Sequence, residues 1–439
     1  MQNLAFLRYW QLSTTIAILT ATSNLIAEDL KPVLVKSIHI NGLSRTDESV
    51  VLRELLYQEG EATTQKDIAE SIQRLKNLQL FASVTHDIST TKSTKYQSEI
   101  ESSLTLEERW TTIPILKFSS GGGVSQMTIG AYDINLFGRY LEGGLQLEKL
   151  GNSRSAVVWY RNPRLFNNRL HFSIDLWDIN RIRTHYQNQG SSLDIERGFL
   201  EHTRKAKIKF EKEWQPNFKS SMEVELSDLE YSKQYLEKKV LSATEDTEIP
   251  PNNKRSLFNL ELKYGRLNYD SYKVQGNLLT LNLSEISDRI RNKSQGQKSQ
   301  LEFKNFTPML ADSILAFQGT IGKTTSTESV DLFYAGGLNK IRGYTDDRFR
   351  GSHFWLTNSE IRMPSYSSSN LVLQHILFYD TTYLGNNFNK FTAASGASIG
   401  TGFRVIAPKI YRLVARLDIA HPLIGKDHLP ISFGVQQFF

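Results

Sequence analysis

Ile431-Ser432-Phe433-Gly434-Val435-Gln436-Gln437-Phe438-Phe439 is the last stretch of the chain. Side chains alternate along an extended strand, so Ile431, Phe433, Val435 and Phe439 fall on one face and Ser432, Gly434, Gln436 and Phe438 on the other. The same period runs upstream. Leu170, Phe172, Ile174 and Leu176 stand against His171, Ser173 and Asp175; Leu141, Gly143, Leu145 and Leu147 against Glu142, Gly144, Gln146 and Glu148; Leu413, Ala415, Leu417 and Ile419 against Arg412, Val414, Arg416 and Asp418. One face is oily and the other charged. A soluble sandwich has the same period, so the choice rests on the polar side. Lys205, Lys207 and Lys209 lie opposite Ala206, Ile208 and Phe210, and Glu223 and Glu225 opposite Met222, Val224 and Leu226. Both signs of charge on one side suit a wet lumen. Residues 110–439 are therefore expected to form a transmembrane antiparallel β-barrel; at roughly 20 residues per strand and connection this gives about 16 strands. Longer polar loops are expected at Gln187 to Ser192 and Ser242 to Arg255.

Composition agrees. Only 39% of residues are hydrophobic and mean hydropathy is −0.37, which a barrel tolerates because only one face of each strand meets lipid. The absence of cysteine removes disulfides, thiolate metal sites and a Cys nucleophile. A net charge of +6 arises from Lys and Arg spread among Asp and Glu without a recognition motif, so no nucleic-acid partner is expected. Residues 1–27 read as a signal peptide: Arg8, an apolar run Ile16 to Leu19, small residues at Ala21 to Ser23, and cleavage after Ala27.

Residues 28–109 read as a small α+β domain of order β-α-α-β-β. Val33 to Ile40 alternate before a turn at Asn41-Gly42; Ser44 with Asp47 starts a helix that Gly60 ends; Thr64 and Asp67 cap a second, striped by Ile68, Ile72, Leu75 and Leu78. Strands over Phe81 to Ile88 and Ile100 to Leu106 complete it. This order, with Asn41-Gly42 and Leu80-Phe81 through Val84, resembles a POTRA domain. By that resemblance it would be a periplasmic receiver of unfolded chains, whose exposed sheet edge can pair with an extended segment.

Gly336-Gly337-Leu338-Asn339-Lys340-Ile341-Arg342-Gly343-Tyr344 resembles the signature loop of the Omp-eighty-five superfamily of barrel-assembly factors and two-partner secretion transporters, here of the bacterial surface antigen kind with one POTRA domain. The likeness continues through Asp133-Ile134-Asn135-Leu136-Phe137-Gly138, Tyr160-Arg161-Asn162-Pro163, Asn358-Ser359-Glu360-Ile361-Arg362, Phe378-Tyr379-Asp380, Gly400-Thr401-Gly402-Phe403-Arg404, Arg416-Leu417-Asp418 with Pro422, and Ser432-Phe433-Gly434. The closing strand, ending in Phe439, resembles the C-terminal signal of outer-membrane barrels; Gln437 departs from it. The resemblance implies that Ile341, Arg342, Gly343 and Tyr344 fold into the lumen, with Glu360 and Asp380 anchoring Arg342. A guanidinium meets carboxylates with a rigid fork of donors where a Lys would hold loosely. Gly343 would turn the backbone and Tyr344 would stack on the barrel wall. Thr382 stands where the family commonly has Gly.

The same resemblance implies assembly and insertion of β-barrel proteins in the outer membrane, with unfolded precursors, outer-membrane lipid and lipopolysaccharide, and periplasmic or lipoprotein partners. The working seam would lie between the first barrel strand, near Ile113 to Val124, and the last, carrying Phe433, Gly434, Val435 and Phe439. Pro114 and the Gly121-Gly122-Gly123 run would weaken that first strand. The alternative is a secretion pore for one polypeptide; a passive porin leaves the N-terminal domain and the Arg342 loop unexplained. No enzyme, cofactor or metal site is expected. Gly319 to Thr324 ends like a phosphate-binding loop but lacks its first glycine, and the nine histidines show no metal-binding spacing.

Overall fold

The computed structural model describes residues 32–93, 98–121, 124–150, 153–186, 194–236, 238–290, 293–388, 393–425 and 431–435. They form two compact units that divide between Glu108 and Arg109. The leader expected over 1–27 lies outside the described residues.

The first unit contains β1 (Val33–Asn41), α1 (Glu48–Leu52), β2 (Ala62–Thr63), α2 (Gln65–Asn77), β3 (Phe81–Ser93) and β4 (Ser98–Glu108), with sheet order β2-β1-β4-β3. Strand β1 runs parallel to β4, and β3 antiparallel to it. The capping of α2 matches its sequence: the Thr64 hydroxyl accepts from the Asp67 N–H at 3.1 Å and donates to the Asp67 carboxylate at 2.7 Å. Its apolar stripe buries Ile68 and Leu75, and Ile68 joins Val35, Tyr57 and Ile100 in one core. The first helix is shorter than the run from Ser44 to Gly60 suggests. Asp47 caps it, accepting from Ser49 N, and it lasts five residues. Ser44 instead serves the Glu108 carboxylate, which accepts from Ser44 N at 3.2 Å, Ser44 Oγ at 2.5 Å, Arg45 N at 3.0 Å and Thr46 N at 2.7 Å. Burial opposes ionisation of Glu108, but these donors outweigh it and hold its pKa below the ordinary value.

The second unit runs through β5 (Thr112–Gly121), β6 (Val124–Leu136), β7 (Leu141–Leu150), β8 (Ser153–Asn162), β9 (Leu170–Tyr186), β10 (Ile195–Gln215), β11 (Phe218–Ser232), α3 (Lys238–Thr244), β12 (Asn253–Asp270), β13 (Lys273–Asp288), β14 (Lys293–Pro308) and β15 (Ile314–Thr324). A short pair, β16 (Phe333–Ala335) and β17 (Phe349–Gly351), precedes β18 (His353–Ser367), β19 (Val372–Gly385), β20 (Gly396–Ile406), β21 (Val414–Pro422) and β22 (Ile431–Val435). Leaving out β16 and β17, these strands form one 16-stranded antiparallel sheet in chain order. Its two ends are brought together. Trp110, just before β5, donates from its N–H to Lys409 O at 2.8 Å and accepts from Tyr411 N at 3.0 Å, both in the turn that leads into β21, the neighbour of β22. The sheet thus curls into a barrel.

The alternation read from sequence sorts the side chains by face. Leu145, Leu147, Leu176, Ile208, Phe210, Met222, Val224, Leu417, Ile419, Ile431, Phe433 and Val435 are exposed, while Glu148, Ser173, Asp175, Arg416, Asp418 and Ser432 are buried. The inward charges pair across strands: Lys205–Glu225 at 3.5 Å, Lys207–Glu223 at 3.2 Å and Lys209–Glu261 at 2.7 Å. Among the described residues no helix is long and apolar enough to cross a membrane.

Two expectations need correction. The first barrel strand, expected near Ile113 to Val124, is β5 and ends at Gly121, with β6 starting at Val124; Gly122 and Gly123 lie outside the described residues. Pro114 does lie within β5, opposite Ala131. The Ser242 to Arg255 segment is not simply a loop, since α3 runs to Thr244 and β12 takes Asn253 to Arg255. Gln187 to Ser192 lies outside the described residues. The segment Gly319 to Thr324 is ordinary strand β15, with no loop to cradle phosphate.

Candidate functional site

Between β15 and β18 the chain turns into the bore. Ser329–Asp331 form one 3-10 turn, β16 pairs with β17, and residues 336–348 make the tip. Gly336, Gly337 and Gly343 adopt φ of +135°, +78° and +86°, conformations that glycine takes without strain. At Gly343 a Cβ would also press within 3.1 Å of Ala420 and 3.2 Å of Pro422, so the tip lies flat on β21.

Arg342 is 0% exposed. It grips Asp380 of β19 with two parallel bonds, Nε to Oδ2 at 2.7 Å and Nη2 to Oδ1 at 2.8 Å, while Nη1 donates to Glu360 Oε1 of β18 at 2.6 Å. Its backbone N–H adds a bond to Asp380 at 3.2 Å, and its guanidinium lies 3.5 Å over the Phe378 ring. Cation–π stacking and bidentate pairing thus act on one group. The structure brings together Arg342, Glu360 and Asp380. Ile341 is buried beside Phe349, Phe354 and Leu384.

Tyr344 behaves differently from the expected wall stacking. Its ring meets Phe349 edge-on at 5.1 Å, within the loop's own return strand. The hydroxyl holds the wall instead, donating toward Ala397 O at 2.8 Å or Ile424 O at 2.7 Å and accepting from Ala397 N at 3.0 Å. A phenol buried among backbone groups satisfies its polar end this way. Thr382 does not disturb β19: it pairs in register with Leu356, and its hydroxyl donates to Trp355 O at 2.7 Å.

Several partners escaped the list of sequence candidates. Asn358 bridges Lys340 O at 2.8 Å and Asp380 Oδ1 at 2.9 Å. Arg362 donates to Glu360 at 2.8 Å, Arg404 pairs with Asp418 at 2.8 Å, and Arg416 donates to Leu338 O at 3.0 Å and Asn339 Oδ1 at 2.7 Å. Four buried guanidiniums, Arg342, Arg362, Arg404 and Arg416, face three buried carboxylates, Glu360, Asp380 and Asp418, leaving one positive charge in excess. Missing side chains make room for them. A Cβ at Gly402 would lie 2.3 Å from Asp418 Oδ1, one at Gly400 2.3 Å from the Phe378 ring, and one at Gly434 2.6 Å from Leu338. The inward parity of Arg362, Arg404, Arg416 and Asp418 within the resembling segments was the available signal.

The loop also holds the opposite wall. Arg183 of β9 pairs with Asp347 at 2.7 Å, Arg350 with Glu196 of β10 at 2.5 Å, and Arg255 of β12 with Asp331, which also accepts from Ser326 Oγ at 2.7 Å. Strands β9 and β19 are eight places apart in the sixteen-strand order, so the loop crosses the bore. These anchors escaped notice because single arginines on alternating strands form no motif; the charged run Asp346-Asp347-Arg348-Phe349-Arg350 was the only hint. At the end where β5 begins, the β12–β13 turn reaches across as well. Tyr272 packs on Val372, Ile406 and Val414 of β19, β20 and β21, and Ser271 O accepts from Arg109 at 2.9 Å.

Comparison with known proteins agrees with this geometry. The family model described as Omp85 superfamily domain matches residues 135–438, and that described as surface antigen variable number repeat, a POTRA model, matches 33–103. Among solved structures, BamA from Haemophilus ducreyi lacking POTRA domains 1–3 is similar at 15% identity and a TM-score of 0.50, over 92% of this chain and 83% of that one. CdiB from Escherichia coli aligns at 10% identity and 0.62, over 92% of this chain and 75% of that one. CdiB from Acinetobacter baumannii aligns at 15% and 0.55, over 92% and 74%. No curated protein matches the sequence. The superfamily model covers more than half of the chain, whose second unit is a sixteen-stranded barrel: this chain belongs to the Omp85 superfamily of outer-membrane β-barrel proteins.

Proposed function

We propose that this protein assembles and inserts β-barrel proteins into the bacterial outer membrane. Its first domain, on the periplasmic side, captures unfolded precursors, and the barrel hands them to lipid at the seam between β5 and β22. Outer-membrane lipid is the medium, and periplasmic or lipoprotein partners dock on the first domain. One observation carries the reading: the bore is crossed by a loop tied to both walls and covered by the β12–β13 turn. A chain passing through the lumen must displace buried ion pairs that cost about 3–5 kcal/mol each to break. A strand added at the seam exchanges one set of backbone hydrogen bonds for another. Arg342, Glu360 and Asp380 act here as positioning residues that hold the barrel's shape. Sidewise delivery needs no energy source, and no enzymatic step is assigned.

Depletion of the protein in its native bacterium tests this. Broad loss of outer-membrane barrels, with low planar-bilayer conductance of the purified protein, is expected. Loss of a single exported polypeptide with the barrels unchanged overturns it in favour of the secretion pore.

A further inference from the structure

On β8 to β13 the outward face changes character along each strand. Val158, Leu176, Ile208, Met222, Val224, Leu226 and Phe258 are exposed apolar residues. Beyond them, toward the end away from the start of β5, the outward positions carry His202, Arg204, Lys254 and Arg289 among Asp178, Asp228 and Glu230. These charges interlock: His202–Asp178 at 2.7 Å, His202–Glu230 at 3.6 Å, Lys254–Asp228 at 3.7 Å, Arg204 with Glu230 and Arg289 with Asp228. A shallow groove of about 480 Å³ lies at the boundary, floored by Ala156, Val158, Leu176, Ala206 and Leu226 and edged by Asp178, Arg204, Asp228 and Arg289. The same level on β14 and β15 carries Gln297, Ser299 and Lys323 and no comparable cluster.

Charge aimed outward on a barrel wall is costly in hydrocarbon and tolerated only near the interface. The boundary therefore marks headgroup depth, and among the described residues this arc of the wall meets that depth with a lattice of both signs. An anionic phosphate accepts from a guanidinium fork; the hydroxyls of a sugar donate to carboxylates; acyl chains cover an apolar floor. We propose that this groove is a docking site for a phosphorylated glycolipid, its phosphates on Arg204 and Arg289, its sugar hydroxyls on Asp178 and Asp228, and an acyl chain along Val158, Leu176 and Leu226. The site rests on the membrane orientation given under Proposed function, which puts this end of the strands at the cell exterior. A phosphoglycerolipid lacks the sugar and satisfies only the cations.

The full chain is placed in phosphatidylcholine nanodiscs doped with a bisphosphorylated glucosamine glycolipid, its dephosphorylated form, or phosphatidylglycerol, and retained lipid is counted by native mass spectrometry. With two charge-assisted contacts at stake, preference for the bisphosphorylated glycolipid over either other lipid should be roughly tenfold or more. It should fall to about twofold or less in an Arg204→Ala, Arg289→Ala double variant, partly return with Lys at both positions, and be unchanged in Lys323→Ala. Heat-modifiable gel mobility confirms that each variant is folded. Equal retention of phosphatidylglycerol, or of the dephosphorylated form, overturns the proposal. Because the chain has no cysteine, Lys254→Cys can be labelled in whole cells with an impermeant maleimide. Labelling without selective retention sinks the lipid site alone; absence of labelling sinks the orientation and the site with it.

Discussion

Arg342 concentrates the largest energy at one position. Arg342→Ala leaves Asp380 and Glu360 buried without their main partner, a change expected to cost about 3–5 kcal/mol. Arg342→Lys keeps the charge but not the fork, and should fall between alanine and wild type. Thermal unfolding followed by gel mobility, with proteolysis of residues 336–348, reads both. Wild-type stability in the lysine variant would show that charge alone suffices. In the first domain, Glu108 gives a pH dependence. Its folded pKa is depressed by the Ser44 to Thr46 donors against the cost of burial, so its stabilising effect is complete above the unfolded value and lost as pH falls through the lower folded one. Protection of the Arg45 and Thr46 amides against hydrogen exchange, measured relative to the intrinsic rate at each pH, should hold at neutral pH and fall below the ordinary carboxylate pKa of 4.5. Glu108→Gln should remove that pH dependence.

Strand β22 and the loop meet through an absence. Gly434 has no side chain where Leu338 sits, and an added Cβ would lie 2.6 Å from Leu338 Cδ2 and 3.1 Å from Arg416 Nε. Gly434→Val should therefore push the loop off the last strand and destabilise the barrel by about 1–3 kcal/mol, as overpacking does. Unchanged melting would mean that the loop yields freely there. On the far wall, Arg255→Ala strips a buried partner from Asp331 while leaving the Arg342 pairs intact. Open-channel noise and mean conductance should rise, and Arg255→Ala with Asp331→Ala should recover part of the loss of stability, as a coupled pair does. At this scale sequence reading did well where a period existed: the alternating strands and the stripe of α2 were legible. It did poorly where elements are too short to have one. The two-residue β2 has no periodicity, and α1 ended at Leu52 because the following residues leave the helix despite an apolar pattern that would have continued.

At the scale of the molecule, strand number and the face of each side chain could be read from residue order, because a closed sheet in lipid imposes one rule on every strand. Placing Arg342 against Glu360 and Asp380 took a motif, since nothing in spacing alone brings residues 18 and 38 positions apart together. The remaining contacts across the bore, Arg183–Asp347, Arg350–Glu196 and Arg255–Asp331, join segments too distant in the chain for any local pattern to record. They also give the conductance expected of the whole barrel: low in wild type, higher when both walls are released together than when either is released alone.

A tube braced along one diameter cannot flatten along that line without snapping or stretching the brace. Strands β9, β10 and β12 stand at one foot of the brace and β18, β19 and β21 at the other. Ovalisation is left free only at right angles to it, and one of those two quadrants contains both ends of the sheet, β5 and β22. Thermal breathing of this cylinder is thereby steered toward the quadrant that holds β5 and β22, and stiffness in one direction becomes compliance in another.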